Sequence, residues 1–292
     1  MHKEANINTG AICLFALLIL SNDGYFSRGD KQNSWISLII AAAAALLISF
    51  LPAFVLTKHE KIIKNKIFSL ISFLFAAYIF AVSLGKFTGF VRKTALDKTS
   101  EMLIALIILS LAAWAATRGP HTLGRAAIAL FSLAAFVILF VCILQIPEMK
   151  IKNLTPVSFV GIDSLKNDIL IFISDIFIFT FALLKMKNIN KRYSIMWKGI
   201  TAGSILVLIL TISNILTLGG HEFSLLLYPT FSAVSVTETG SFLQRIEVFA
   251  SVITVISVFV KLTLCIYAMT VTAGNLGRKH KSQITNHNAQ IL

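Results

Sequence analysis

Long apolar runs alternate with short polar connectors along this 292-residue chain. A helix needs about 20 mostly apolar residues to cross the hydrocarbon core of a bilayer. Eight runs reach or approach that length, and charged or turn-forming residues bound each of them. The pattern therefore predicts an all-α polytopic membrane protein with about eight transmembrane helices. The runs are Ile7–Leu20, Trp35–Leu56, Ile67–Phe87, Met102–Thr117, Leu123–Leu144, Asp163–Met186, Trp197–Leu218 and Ile246–Thr272.

Two of these runs, the first and the fourth, are short for a full crossing. Each is expected to be tilted, extended by polar residues or incomplete. The predicted domain organisation is a transmembrane domain over residues 1–276, followed by a polar cytoplasmic tail over residues 277–292.

Composition supports the membrane interpretation and argues against a soluble enzyme. Hydrophobic residues make up 57% of the chain and charged residues 13%, whereas soluble domains carry roughly 25% charged residues. The three cysteines lie singly within apolar runs, and the histidines form no metal-binding pattern. A nucleophile–base arrangement is also missing from the sequence. We therefore expect no metal, no cofactor and no enzymatic activity.

The distribution of charge predicts an orientation in the membrane. With a cytoplasmic N-terminus, the inner connectors and tails carry fifteen Lys and Arg residues against two acids, while the outer connectors carry ten of each. Asp168 is counted here among the outer acids. Cytoplasmic loops are enriched in basic residues, so both termini are predicted to be cytoplasmic. The basic pI of 9.8 is then explained by the topology and by contact with anionic lipid, and it does not indicate binding to nucleic acid.

Lys261 and Asp175 are the two charges left within predicted spans. Charged side chains at membrane depth are costly and usually face the bundle interior or a cavity. Lys261 ends a polar stripe with helical spacing that starts at Glu247 and includes Ser257. Lys261 either snorkels or holds helices together, or it takes part in a ligand or ion pathway.

Polar residues also suggest two interruptions in the helices. Ser174-Asp175 lies mid-span, and its low helix propensity predicts a discontinuity of the kind that exposes backbone groups to small ligands in transporters. A purely structural pairing of Asp175, with Lys261 or another polar group, is the alternative. Ser21-Asn22-Asp23-Gly24 ends the first run, either as irregular backbone within the membrane or as a plain interfacial turn.

Several motifs, in the same order, resemble the B-subunit family of spore germinant receptors, in the amino acid–polyamine–organocation transporter superfamily. The similarity is carried by Gln32–Ser37, Gly119 with Arg125-Ala126-Ala127, Asn153–Val157 with Gly161-Ile162, Ser174-Asp175, and finally Tyr228-Pro229, Gly240–Glu247 and Phe259-Val260-Lys261. The resemblance implies a truncated version of a ten-helix inverted-repeat (LeuT-like) fold.

The resemblance also implies a function in the spore inner membrane: sensing a small nutrient, such as an amino acid, in a complex with A- and C-type receptor subunits. The implied pocket lies among helices one, three, six and eight. Its implied ligand-binding residues are Ser21, Asn22, Gly24, Ser174, Asp175, Ser257 and Lys261, and its motif residues are Tyr228, Pro229, Arg245 and Glu247. Two other functions stay open: an amino acid secondary transporter, and a structural subunit that binds no ligand.

Overall fold

The computed structural model describes residues 2–23, 33–52, 54, 65–155, 160–184, 189–236 and 247–289. These residues form α-helices, two 3₁₀ turns and no β-strand. In chain order the helices are α1 (His2–Leu20), α2 (Ser34–Ile48), α3 (Lys66–Thr94), α4 (Glu101–Thr117), α5 (Pro120–Gln145), α6 (Ile162–Leu183), α7 (Ile189–Leu218), α8 (Gly220–Leu225), α9 (Pro229–Val236) and α10 (Glu247–Ala289).

The predicted all-α polytopic membrane fold is confirmed. Within the described ranges, five helical stretches are long and apolar enough to cross a bilayer, and two shorter apolar helices accompany them. The five stretches contain α2, α3, α5, α7 and α10, and the shorter pair consists of α4 and part of α1. The number of crossings, the orientation of the termini and the domain boundary at residue 276 stay predictions.

Helix α1 is the centre of the bundle. Every residue from Leu14 to Leu20 is at most 2% exposed, because α1 packs against α5, α7, α10 and α6. A helix that is apolar on all sides belongs in such a surrounded position. Small residues allow the close packing: a Cβ on Gly10 would lie 2.5 Å from the Gly124 carbonyl oxygen of α5, and one on Gly203 of α7 would lie 2.9 Å from the Ala16 carbonyl oxygen.

The C-terminal end of α1 also lies inside the bundle and not at its surface. Ser21 and Asn22 follow the helix in a turn and are 7% and 6% exposed. The first run is therefore short because the helix stops among its neighbours. The turn is thus buried within the bundle, and whether it lies within the membrane or at its interface stays a prediction. Gly24 lies outside the described residues.

The predicted discontinuity at Ser174-Asp175 is wrong, since α6 is unbroken through both residues. The Ser174 hydroxyl donates a hydrogen bond of 2.8 Å to the Leu170 carbonyl of the preceding turn. This bond satisfies the polar side chain within the helix, and α2 and α10 pack along α6. Tertiary packing thus outweighs the weak local propensity.

The charge count placed Asp168 in an outer connector, and this prediction is also wrong. Asp168 lies in α6, is fully buried, and accepts a 2.6 Å hydrogen bond from the Ser37 hydroxyl of α2. Asp168 and Asp175 are seven residues apart, or two helical turns. Helix α6 therefore carries two buried carboxylates along one side.

The polar connector that precedes the last span contains a short helix of its own. Tyr228 leads into α9, which begins at Pro229, a position where proline fits because a first-turn N–H has no helical partner. Arg245 of the same connector lies outside the described residues. Glu247 begins α10, which continues as one helix for 43 residues.

Candidate functional site

An ion pair between Lys261 and Asp175 lies in the interior of the bundle. Lys261 Nζ is 3.2 Å from Asp175 Oδ1, and the two residues are 6% and 0% exposed. Asp175 and Lys261 each lie about 20 Å from the start of their own helix, α6 or α10, at 1.5 Å per residue. Lys261 therefore does not snorkel to an interface.

Asn22, from the turn after α1, bridges both members of this pair. Its side-chain Nδ2 donates to Asp175 Oδ2 at 2.5 Å, and its Oδ1 accepts from Lys261 Nζ at 2.5 Å. Hydrogen bonds to ionised groups are the strong ones, and a buried pair is stable only when its remaining polar atoms are satisfied. The three side chains lock the end of α1 to α6 and α10.

A cavity of about 420 Å³ lies directly beside this triad. Asn22 and Lys261 are part of its wall, and α3, α6, α9 and α10, with the turn after α1 and Tyr228, supply the remainder. The volume lies in the range of small-molecule sites. The apolar side chains of α1 from Phe15 to Leu20 are buried beyond the triad, and Phe15 stacks on Phe179 of α6 at 4.2 Å between ring centroids.

Aromatic side chains form much of the cavity wall. Phe90 of α3 makes edge-to-face contacts with Tyr228, at 4.9 Å between centroids, and with Phe231 of α9, at 6.2 Å. The Tyr228 hydroxyl also donates to the Lys86 carbonyl of α3 at 3.4 Å. These contacts hold α9 against α3. The aromatic lining residues are Phe75, Tyr78, Phe87, Phe90, Tyr228 and Phe231.

A second polar chain, which the sequence pattern does not reveal, also reaches the cavity. Thr230 of α9 donates a hydrogen bond to Asp23 Oδ2, and Asn214 of α7 donates to Thr230 Oγ1 at 2.8 Å. Asn214 is fully buried, and both Asp23 and Thr230 line the cavity. The sequence feature that could have indicated this chain is Asn214, because its polar side chain lies near the end of the apolar seventh run.

The backbone at the end of α1 is already satisfied by its own turn. The carbonyls of Leu17, Ile19 and Leu20 accept hydrogen bonds from the backbone amides of Ser21, Asn22 and Asp23, respectively. The Leu18 carbonyl accepts a hydrogen bond from the Ser21 hydroxyl at 2.5 Å. Broken helices in transporters commonly present such groups to their substrates. Here, the carbonyls of Leu17 to Leu20 are each occupied by a hydrogen bond from this turn.

The structure gathers most of the sequence-predicted site residues around one cavity. Ser21, Asn22, Ser174, Tyr228, Pro229 and Lys261 line it. Asp175 lies behind Lys261 and is fully buried. Ser257 is not among the lining residues; its hydroxyl donates to the Ile253 carbonyl of its own helix at 2.8 Å. Gly24 and Arg245 lie outside the described residues.

Comparison with known proteins gives two consistent findings. The family model described as "Spore germination protein" matches residues 12–291, nearly the whole chain. Spore germination protein KB from Bacillus subtilis (strain 168) is similar to this chain, with 23% identity over 276 residues. That alignment covers 87% of this chain and 73% of the relative.

Proposed function

Because the chain belongs to the spore germination protein family, we propose that it is the membrane subunit of a spore germinant receptor. In this proposal it binds a small nutrient, an amino acid or a compound of similar size, and signals germination through partner subunits. The family supports the spore inner membrane as its location and A- and C-type receptor subunits as its partners. No catalytic step is part of the proposal.

The observation that carries the proposal is the cavity with a charged, hydrogen-bonded triad at its wall. A concave, mostly apolar volume with a few convergent polar groups is the usual form of a small-molecule site. Asn22 comes from the turn after α1, Asp175 from α6 and Lys261 from α10. A ligand that contacts Asn22 or Lys261 can therefore change how α1, α6 and α10 are held. Such a change is a means to pass occupancy on to partners.

Secondary transport of an amino acid is the second candidate, and the same cavity supports it. A transporter must also open a path beyond the triad, where α1 and α6 are packed with buried apolar side chains. Substrate-dependent uptake into proteoliposomes separates the two functions. Uptake that follows the substrate gradient would favour transport, and binding without uptake would favour a receptor. A structural subunit would show neither.

Filling the cavity is expected to abolish ligand binding while the fold persists. Ser83 of α3 lies on the cavity wall, so the Ser83→Phe ring would occupy the space of a ligand. The measurement is the Tm of the protein, purified in detergent, with and without L-alanine, L-leucine, L-phenylalanine, L-asparagine or inosine. A compound at 100 times its Kd stabilises the folded state by about 2.7 kcal/mol. We expect the stabilisation by the best compound to disappear in Ser83→Phe.

The matched control places the same ring on the surface of the bundle. Ser110 of α4 is exposed, and its hydroxyl donates to the Ile107 carbonyl of its own helix. Ser110→Phe should keep the full ligand-dependent shift in Tm. Equal shifts in both variants would mean that the compound binds elsewhere, and no shift with any compound in the wild type would reject the binding function.

A further inference from the structure

We propose that the cavity opens sideways into the bilayer, between α3 and α6, and that an acyl chain of a surrounding lipid occupies this opening. The opening lies where the lipid-facing sides of the two helices reach the cavity. The inference goes beyond the proposed function, because lipid reaches such an opening whether or not the cavity also binds a nutrient.

Tyr78 of α3 and Leu170 of α6 form the rim of the opening. Both residues line the cavity, and yet they are 67% and 60% exposed. Side chains around an enclosed cavity are largely shielded, so the cavity reaches the outer surface of the bundle at these two positions. Tyr78 also continues the exposed side of α3 on which Leu70 and Leu74 lie. Because α3 is long and apolar enough to cross a membrane, the opening faces lipid.

The two helices meet at one end of the opening and separate from there. Phe75 of α3 makes an edge-to-face contact with Phe177 of α6, at 5.0 Å between ring centroids. Around this contact, Ala76 and Phe181 are buried in one cluster with Ala268 of α10. Elsewhere α3 and α6, both of which the structure describes in full, are not a closely packed pair of helices. The gap is therefore closed at the level of the two phenylalanines.

The length of the gap matches a lipid chain from one leaflet and not a transmembrane helix. Lys86 of α3 and Lys166 of α6 are exposed, and charges of this kind belong at the level of the lipid headgroups. They lie eleven residues from Phe75 and Phe177, respectively, which is about 16 Å along each helix. Half of the hydrocarbon core is about 15 Å thick, whereas a transmembrane helix needs the full ~30 Å. The gap thus accommodates the tail of one lipid.

The walls beside the rim suit a hydrocarbon chain. Ile79 and Val82 of α3 and Ile171 of α6 line the cavity there. Ser174 also lines it, but its hydroxyl donates to the Leu170 carbonyl of its own helix at 2.8 Å, so it tolerates an apolar neighbour. A chain in the gap supplies the dispersion contacts that these side chains would lack beside an empty volume. The ligand class is therefore the acyl chain of a membrane lipid.

The test uses the wild-type protein in liposomes of phosphatidylcholine that carries a photoreactive diazirine near the middle of one acyl chain. After illumination, mass spectrometry locates the lipid adducts. Ile79 lines the cavity and is 8% exposed, whereas Ile108 of α4 is 7% exposed and is not among the lining residues. We expect adducts on Ile79 at a level close to that of the exposed Ile107, with Ile108 at background. Background labelling of both Ile79 and Ile108 would overturn the proposal.

Filling the cavity provides a second readout. Ser83 lies four residues after Ile79 on the same side of α3 and also lines the cavity. Ser83→Phe should therefore remove the adducts on Ile79 and keep those on Ile107, while Ser110→Phe, on the surface of α4, should leave both unchanged. Adducts that persist on Ile79 in Ser83→Phe would overturn the cavity as the route of the lipid chain.

The rim residues test whether protein, and not lipid, covers the opening. Tyr78 and Leu170 should both carry adducts in the wild type. Their absence would mean that another protein segment, such as one from a second copy of the chain, lies over the opening, and it would also overturn the proposal. No nutrient is added in these experiments, so a failure of nutrient binding leaves their results unaffected.

Discussion

Lys261→Met is expected to destabilise the folded protein severely, and a second substitution, Asp175→Leu, is expected to rescue it. The single change leaves the fully buried Asp175 carboxylate without its counter-charge, with Asn22 as its remaining described hydrogen-bond partner. Breaking a buried ion pair costs about 3–5 kcal/mol, whereas replacing both members with apolar residues is often neutral or stabilising. We therefore expect a drop in Tm on the order of 10 °C for Lys261→Met and a Tm close to that of wild type for the double variant.

The measurement is a thermal unfolding curve in detergent for wild type, both single variants and the double variant. The double-mutant cycle gives the coupling between the two sites. A double variant as unstable as the two singles combined would contradict the assignment of Lys261 and Asp175 as a coupled ion pair. The rescued protein then serves a second purpose: loss of ligand binding in a stable double variant would show a functional role for Lys261, and retained binding would leave the pair a structural one.

The positions of the helices could largely be read from the sequence. The bilayer imposes a length on each apolar run, and a run such as Leu123–Leu144 corresponds closely to α5, Pro120–Gln145. The same reasoning identified Lys261 and Asp175, because a charge within an apolar run must find a partner. Apart from the pairing of Asp175 with Lys261, which the sequence offered as one alternative, contacts between distant segments could not be predicted. Asn22 lies 239 residues from Lys261, and no local pattern indicates that the end of α1 meets α10.

Residues at the margins of the runs were assigned least well. Asp168 lies close to the start of its run, where a connector and a helix have similar composition. Asp23 belonged to a turn from which the sequence singled out Ser21, Asn22 and Gly24 as ligand-binding residues. Thr230 and Asn214 are common residue types in apolar helices, so their hydrogen bond carries no sequence signature. Hydropathy shows that a side chain avoids water, but it does not show whether that side chain contacts lipid or protein. The packed structure is needed to distinguish the two.

Gly10→Ala is expected to destabilise the protein strongly, although it adds only one methyl group. The added Cβ would lie 2.5 Å from the carbonyl oxygen of Gly124 and 2.6 Å from its carbonyl carbon. Both atoms belong to the backbone of α5, so no side-chain rotation relieves the clash, and α1 and α5 must separate. Overpacking of this kind costs typically 1–3 kcal/mol and sometimes more. The cost is expected at the upper end, because α1 is surrounded on all sides.

Gly85→Ala is the matched control, since a Cβ on Gly85 of α3 meets no atom within 4 Å. In a helix, alanine is favoured over glycine by roughly 0.5–1 kcal/mol, so this variant should unfold at the wild-type temperature or slightly above it. The comparison uses the amount of each variant recovered from membranes and its Tm in detergent. Because the end of α1 carries Asn22, separation of α1 from α5 should also weaken ligand binding in any Gly10→Ala protein that folds. A Gly10→Ala variant with the yield and Tm of Gly85→Ala would contradict the close contact between α1 and α5.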